Sequence, residues 1–155
     1  MTSSRNSAKS SRGRKEGDKI TAHRGDFTLT RKTKDVLPLL PFARMKDVIL
    51  GTSYDCSLVI VGDTLSRRLN EQYRHKNYTP NVLSFPLSPK SGEIFLNLKE
   101  ARRQMRDPKG IPQTEELSFP HWVAKLVIHA MLHLKGMHHG GTMDSAEARY
   151  LGIFF

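Results

Sequence analysis

The stretch FPHWVAKLVIHAMLHLKG, residues 119–136, predicts a long helix that has almost no polar face. Ser118 is suited to cap its N-terminus, Pro120 suits its first turn, and Gly136 suits its C-terminal end. A helix that is apolar on nearly every side must be covered by other elements. We therefore expect this helix to run through the core of the domain.

The same helix carries the candidate functional residues, because the segment HAMLHLKGMHH at 129–139 contains four histidines. His129 and His133 are four residues apart and project from one helix face. Gly136 lets the chain turn back, so that His139 can approach this face from beyond the helix end. Three histidines with a fourth coordination position left open are typical of catalytic Zn²⁺ sites, in which the bound water has a pKa of about 7. The spacing predicts one metal ion held by these three imidazoles.

Alternatives to this ligand set remain open. A single buried histidine is more often a hydrogen-bonded core residue than a ligand, but three at this spacing are harder to explain in that way, because unpaired buried imidazoles cost free energy. His138 competes with His139 as third ligand, although adjacent residues point in different directions. Zn²⁺ is the expected metal, but three-histidine sites also accept Ni²⁺ and Cu²⁺. The remaining histidines, His23, His75 and His121, are expected at the surface.

The spacing H-x-x-x-H-x-x-G-x-x-H is shared with the metzincin proteases, which makes peptide hydrolysis a competing interpretation. Those enzymes need Glu directly after the first histidine as the general base. Ala130 occupies that position here. The sequence therefore indicates a metal site but disfavours a peptidase of that kind.

The remaining elements predict an α+β domain, a small mixed β-sheet with helices packed mainly on one side. A helix over 64–76 begins at a cap provided by Asp63 or Thr64. The strand NVLSF is expected to be buried and to end before Pro86. The other predicted elements are strands at 27–30, 56–61 and 92–98 and helices at 41–51 and 99–106, with a loop at 107–116.

The net charge of +10 is divided unevenly along the 155 residues. Residues 1–25 hold seven Lys and Arg against two acidic residues, and they are nearly free of the large apolar residues that a folded segment needs. We expect a disordered basic tail over 1–25 and a single metal-dependent hydrolase domain over 26–155. The domain is itself basic, which favours a polyanionic partner such as nucleic acid.

The single cysteine and the short apolar runs indicate a cytoplasmic location. Cys56 lies in the apolar run CSLVIV and is expected to be a buried thiol in a reducing compartment. No apolar run approaches the roughly 20 residues that span a bilayer, and no secretory apolar segment follows the N-terminus.

Three segments resemble the YbeY family of bacterial endoribonucleases. HAMLHLKGMHH is similar to that family's H-G-x-L-H-L-x-G-Y-D-H signature. LNEQYRHKNYTPNVLSFP at 69–86 resembles L-N-x-x-Y-R-x-K-D-x-P-T-D-V-L-S-F-P, and GEIFLNLKEARRQ at 92–104 resembles the family's glycine–acid strand. The order and spacing of these segments agree with the family from about residue 27 to 150.

The resemblance implies a metal-dependent endoribonuclease specific for single strands. It implies a role in maturation of the small-subunit ribosomal RNA 3′ end and in ribosome quality control, with the ribosomal small subunit and the GTPase Era as partners. His129, His133 and His139 carry over as ligands, and His129 is also expected to be catalytic. The family's arginine falls on Arg74, whose guanidinium suits a phosphate that gains charge during cleavage. Further RNA contacts are expected from Lys76, Arg102 and Arg103.

Departures from the family pattern leave two other functions open. His138 replaces an Asp that is suited to orient a ligand imidazole, and loss of such a partner typically costs about 10- to 100-fold in affinity or activity. Asn77 and Asn81 also replace Asp, while Asp144 is a candidate substitute carboxylate. The alternatives are a non-catalytic, metal-stabilised RNA-binding assembly factor and, with less support, a metalloprotease.

Overall fold

The computed structural model describes residues 19–24, 26–107, 109 and 117–155. Over this part of the chain, five strands and five helices form the α+β domain that the sequence predicts. The strands are β1 (Lys19–Arg24), β2 (Phe27–Arg31), β3 (Asp55–Ile60), β4 (Val82–Ser88) and β5 (Ser91–Leu96). The helices are α1 (Phe42–Leu50), α2 (Asp63–Arg74), α3 (Leu98–Arg106), α4 (Phe119–Leu134) and α5 (Gly141–Phe154).

The sheet is mixed and has the strand order β1-β2-β3-β5-β4. β2, β3 and β5 are parallel, and β1 and β4 pair antiparallel at the two edges. The prediction that β4 ends before Pro86 is wrong, because the strand continues to Ser88 with a register shift after Pro86. An edge strand accommodates a proline because one side of its backbone needs no sheet partner. Only Leu83 of this strand is buried, so the expectation of a buried strand was also wrong.

The prediction that α4 is the central helix is confirmed. It packs on β4 and β5, and α1, α3 and α5 pack against it. The Ser118 hydroxyl accepts a hydrogen bond of 3.3 Å from the His121 backbone N–H, which confirms the predicted cap. Gly92 of β5 lets the end of α4 lie close to the sheet, because a Cβ there would come within 2.7 Å of Leu134 Cδ2.

The apolar spacing of α1 predicts that Phe42, Met45, Val48 and Ile49 face inward. Phe42, Met45 and Ile49 are buried, but Val48 is 40% exposed and Lys46 is only 2% exposed. The Lys46 ammonium donates to the carbonyl oxygens of Gly51 and Thr52, each at 3.2 Å, and lies 2.7 Å from the Asp47 carboxylate. Burial of this lysine is tolerated because its charge and its donors have partners.

α2 begins and ends slightly earlier than predicted. Its N-cap is Gly62, and Asp63 lies in the first turn with its carboxylate bonded to Asn97 and Arg103. The most buried side chains of α2 are polar, Ser66 and Asn70. They donate to the carbonyl oxygens of Pro80 at 2.9 Å and Tyr78 at 3.0 Å. These bonds fix the segment 78–81 that leads into β4.

The folded region extends into the predicted tail. β1 occupies Lys19–Arg24 and pairs with β2, so the boundary expected at residue 26 lies too late in the chain. Residues 1–18 and 25 are outside the described residues, as is most of the predicted loop 107–116. Cys56 is buried as predicted, and burial raises the pKa of its thiol to about 12. None of the described helices has the length and hydrophobicity to cross a membrane.

Candidate metal centre

The three predicted ligands meet at the C-terminal end of α4. His129 and His133 lie one turn apart with their Nε2 atoms 3.0 Å from each other. α4 ends at Leu134, and Gly136 adopts a φ of +98°, which favours glycine and reverses the chain. The His139 ring is thereby brought within 5.0 Å of the His129 ring and 4.6 Å of the His133 ring, measured between centroids. One nitrogen from each histidine lies within 4.8 Å of the other two, so the cluster can hold one metal ion.

Hydrogen bonds outside the cluster orient the first two rings. His129 Nδ1 lies 3.1 Å from Glu147 Oε2, and His133 Nδ1 lies 3.0 Å from the Met137 carbonyl oxygen. Both partners are acceptors, so each Nδ1 must carry the proton. A neutral imidazole has one N–H, so the Nε2 atom of each ring is left unprotonated and carries a lone pair. Donation from Nδ1 to a carboxylate or carbonyl is the usual arrangement around a histidine that ligates a metal.

The donor set fits a divalent cation. Two imidazole lone pairs that face each other at 3.0 Å repel one another unless a proton or a metal ion lies between them. Ligand nitrogens on a tetrahedral Zn²⁺ are about 3.3 Å apart, close to the separation seen here. Burial, with the nearby His129 ring, lowers the pKa of His133, which keeps its imidazole neutral and available as a ligand.

The apolar character of the helix suggested that its histidines are buried. They instead line a pocket and are partly exposed. The side chain of His129 is 27% exposed, and His139 is exposed. The pocket has a volume of about 1070 Å³. Its walls come from the last turn of α2, the segment 78–81, β4, α3 and one face of α4. The predicted ligands therefore stand where a molecule in the pocket can reach them.

Glu147 is the site residue that sequence reasoning missed. Asp144 was the expected substitute for the family carboxylate, but it is exposed and does not line the pocket. Glu147, one turn further along α5, is 13% exposed and makes the contact with His129. The only signal in the sequence was its helical spacing from the buried Met143 and Ala146, which places it near the inward face of α5. His138 is exposed and is not part of the metal-binding group.

Arg74 is the predicted RNA-binding residue that the structure places at the pocket. It occupies the last turn of α2 and lines the pocket together with the three histidines. Among the described residues, Arg74 has no ion-pair or side-chain hydrogen-bond partner. Its guanidinium is therefore available to a ligand.

The other predicted RNA contacts lie outside the pocket lining. Lys76 is exposed on the segment that follows α2. The Arg102 guanidinium lies 3.8 Å from the centre of the Phe119 ring. Arg103 forms ion pairs with Asp63 and Glu100. Two of these three cations thus have intramolecular partners.

The fold and the site together define an α+β protein with a three-histidine candidate metal centre and an arginine at one pocket. Residues 20–151 match the family model of Endoribonuclease YbeY. The chain is 36% identical over 141 residues to an Endoribonuclease YbeY from Solibacter usitatus, covering 87% of this chain and 86% of the relative. A second Endoribonuclease YbeY, from Persephonella marina, is 26% identical over 141 residues, with 84% of both chains covered. The chain belongs to the YbeY endoribonuclease family.

A solved structure independently supports the fold. The solution structure of TM1509 from Thermotoga maritima superimposes with a TM-score of 0.51 and 21% sequence identity. The match covers 71% of this chain and 76% of that protein. At this level of identity the similarity supports the architecture alone.

Proposed function

We propose that this chain is a metal-dependent endoribonuclease that cleaves single-stranded RNA in the pocket between Arg74 and the histidine cluster. The observation that carries the proposal is the convergence on one pocket of three histidines that could hold a metal ion and of Arg74, which has no ion-pair or side-chain hydrogen-bond partner among the described residues. Membership of the endoribonuclease family supports RNA as the substrate.

Each of these side chains has a distinct role in the proposal. His129, His133 and His139 hold one Zn²⁺ per chain, with Ni²⁺ as the alternative ion. When bound, such an ion supplies Lewis-acid chemistry that activates a nucleophile at neutral pH. Arg74 binds the phosphate and stabilises the negative charge that develops during cleavage. A flexible, hydrated lysine would do this less well than a planar guanidinium.

Glu147 takes over the task of the carboxylate that is absent at His138. It accepts the Nδ1–H of His129 and so fixes the ring with Nε2 toward the cluster. Because this partner is present, the substitution at His138 does not by itself indicate a non-catalytic assembly factor. A peptidase remains the weaker alternative. Ala130 occupies the position where metzincins have their general base, and the carboxylate of Glu147 is engaged by His129.

The cellular assignment rests on family membership. We propose a cytoplasmic role in maturation of the small-subunit ribosomal RNA 3′ end and in ribosome quality control. The proposed partners are the ribosomal small subunit and the GTPase Era. The basic balance of the chain, +10, is compatible with ribosomal RNA as the polyanionic partner.

Cleavage of an end-labelled single-stranded RNA by zinc-loaded protein tests the proposal. Wild type is expected to cut internal bonds, and the variants Arg74→Ala and His129→Ala are expected to lose most or all of this cleavage. Cleavage that survives both substitutions would reveal a contaminating nuclease. Tight RNA binding without any cleavage would favour the assembly factor and contradict the enzyme.

A further inference from the structure

The pocket continues well beyond the metal centre along α4. Trp122 and His129 both line it and are seven residues apart on the helix, which separates them by about 10 Å along the axis. Gln104 of α3 and Asn81, at the start of β4, line the same pocket. Among the described residues, none of these three forms a hydrogen bond or ring contact with the histidine cluster, and the proposed cleavage chemistry assigns them no role. We call Asn81, Gln104 and Trp122 the distal subsite.

Trp122 offers a flat apolar surface to the pocket. Its side chain is partly exposed, but its indole Nε1–H is buried and has no hydrogen-bond partner among the described residues. The part that a ligand can reach is therefore the carbon surface of the ring system. A surface of this kind suits stacking on a planar nucleobase, which is the usual way in which proteins hold unpaired bases.

Asn81 and Gln104 add polar groups that are held in place. Asn81 Nδ2 donates to Gln104 Oε1 at 2.7 Å. This bond leaves the Asn81 carbonyl oxygen as an acceptor and the Gln104 amide nitrogen as a donor. The Asn81 backbone is fixed in turn, because its carbonyl accepts the Asn97 N–H at 2.7 Å, and the Asn97 side chain caps α3. A fixed donor and acceptor beside an aromatic ring suit the hydrogen-bonding edge of a base.

The charges around the distal subsite suit a nucleotide. Lys125, one turn further along α4 from Trp122, and Arg74 both line the pocket, and Arg74 supplies a guanidinium that has no described partner and can contact a phosphate. Glu100 also lines the pocket, but its carboxylate accepts a hydrogen bond of 2.7 Å from Arg103. Its charge is therefore partly compensated where a phosphate would pass.

We propose that the distal subsite binds an unpaired nucleobase of the RNA whose phosphate lies at the metal centre. Trp122 stacks on the base, and Asn81 with Gln104 contacts its edge. This inference rests on the proposed ribonuclease function. It also gives a physical reason for single-strand specificity, because a base held in a duplex cannot stack on a protein ring.

Trp122 is the only tryptophan in the chain, so intrinsic fluorescence reports on this subsite directly. The experiment titrates full-length, metal-free protein in chelator with adenosine and uridine 5′-monophosphates. Ribose 5-phosphate serves as the control that lacks a base. The nucleotides are expected to quench the emission in a saturable way, and ribose 5-phosphate is expected to leave it unchanged. Equal quenching by all three, or by none, would overturn the proposal.

Variants separate stacking from edge contacts. The affinity for a dye-labelled single-stranded oligonucleotide, measured by anisotropy in chelator, is expected to fall about tenfold or more in Trp122→Ala and to recover largely in Trp122→Phe. Gln104→Ala is expected to weaken binding several-fold. Gln72→Ala, an exposed glutamine on α2 outside the pocket lining, is the matched control and should bind as wild type does. Unchanged affinity in Trp122→Ala would overturn the proposal, and recovery in Trp122→Phe excludes misfolding as the cause of a loss.

Failure of this inference is distinguishable from failure of the proposed function. Nucleotide quenching in metal-free protein that never cleaves RNA would support the subsite and contradict the enzyme. Metal-dependent cleavage that is unchanged in Trp122→Ala, with no quenching in wild type, would support the enzyme and contradict the subsite.

Discussion

The histidine end of the pocket and the surface cluster of Asp63, Glu100 and Arg103 both bring ionisable side chains together, but only the second cluster satisfies its own charges. At the pocket, two imidazole lone pairs face each other at 3.0 Å. In the surface cluster, Arg103 donates to both carboxylates and Asn97 donates to Asp63. The first group can therefore accept a cation, whereas the charges of the second are already paired.

Arg74 and Arg103 differ in the same way as the two clusters to which they belong. The sequence predicted RNA contacts from both residues, from Arg74 because it matches the family's arginine and from Arg103 as a further basic residue. Arg103 has two carboxylate partners, and its pKa is raised by their hydrogen bonds. Arg74 has none among the described residues and lines the pocket. A charged side chain in the sequence is therefore only a candidate for substrate binding. Whether it is available depends on the intramolecular partners that the fold supplies.

The largest effect is expected from removal of a ligand. His139→Ala leaves two imidazoles and should weaken Zn²⁺ binding by roughly 100-fold or more, because a three-ligand site loses a third of its donors. His138→Ala, at the exposed neighbouring residue, should retain one Zn²⁺ per chain. Calorimetric titration of the metal-free proteins measures both values. Loss of binding in His138→Ala with retention in His139→Ala would reverse the ligand assignment.

Arg74→Ala should reduce the rate of RNA cleavage by about 10²- to 10³-fold, the usual consequence of removing a group that stabilises transition-state charge. Its melting temperature should equal that of wild type because no described partner is left unpaired. Arg68→Ala, an exposed arginine on the same helix, is the control and should cleave normally. An equal loss of activity in Arg68→Ala and Arg74→Ala would contradict the specific role of Arg74.

Glu147→Gln should lower Zn²⁺ affinity by about 10- to 100-fold, because His129 loses the carboxylate that holds its tautomer and orientation. The measurement is competition for the metal with a chelating indicator. Asp144→Asn should leave the affinity unchanged, since Asp144 is exposed outside the pocket lining. The opposite ranking of the two variants would restore Asp144 as the supporting carboxylate.

Arg103→Ala should leave cleavage unchanged and reduce the free energy of unfolding by about 0.2–1 kcal/mol, as expected for an exposed ion pair. The Arg103 hydrogen bond lowers the pKa of the Asp63 carboxyl. A lowered folded-state pKa gives stability that is present above the unfolded value of about 3.9 and is lost as the pH falls through the folded value. The difference in melting temperature between wild type and variant should therefore shrink below about pH 4. A difference that grows in acid would contradict the ion pair.

The predictions from sequence succeeded where the relevant geometry is local. Four-residue spacing and Gly136 fix the relation of His129, His133 and His139 within eleven residues, so the convergence of these three rings was accessible from the chain alone. Their role as metal ligands stays a prediction. Glu147 was missed because its contact with His129 depends on how α5 packs against α4. That relation is set by tertiary packing and has no counterpart in spacing.

Other differences have the same origin. The burial of Lys46 depends on carbonyl oxygens beyond the end of its helix, and the polar face of α2 depends on Ser66 and Asn70 reaching the segment 78–81. Hydrophobic spacing detects apolar stripes but not polar groups whose partners are supplied by the fold. The helix α4 was predicted well because it is apolar on nearly every side.

The proposal that the reaction takes place at the metal centre is tested by stepwise addition of Zn²⁺ to the metal-free wild-type protein. The rate of single-stranded RNA cleavage is recorded at each step. In chelator, the cleavage rate should equal the rate without protein. It should then rise in proportion to the added metal and stop rising at one equivalent per chain. Arg74→Ala should bind the same one equivalent and cleave about 10²- to 10³-fold more slowly than wild type. A cleavage rate in wild type that is the same with chelator as with zinc would contradict the metal centre as the site of the reaction.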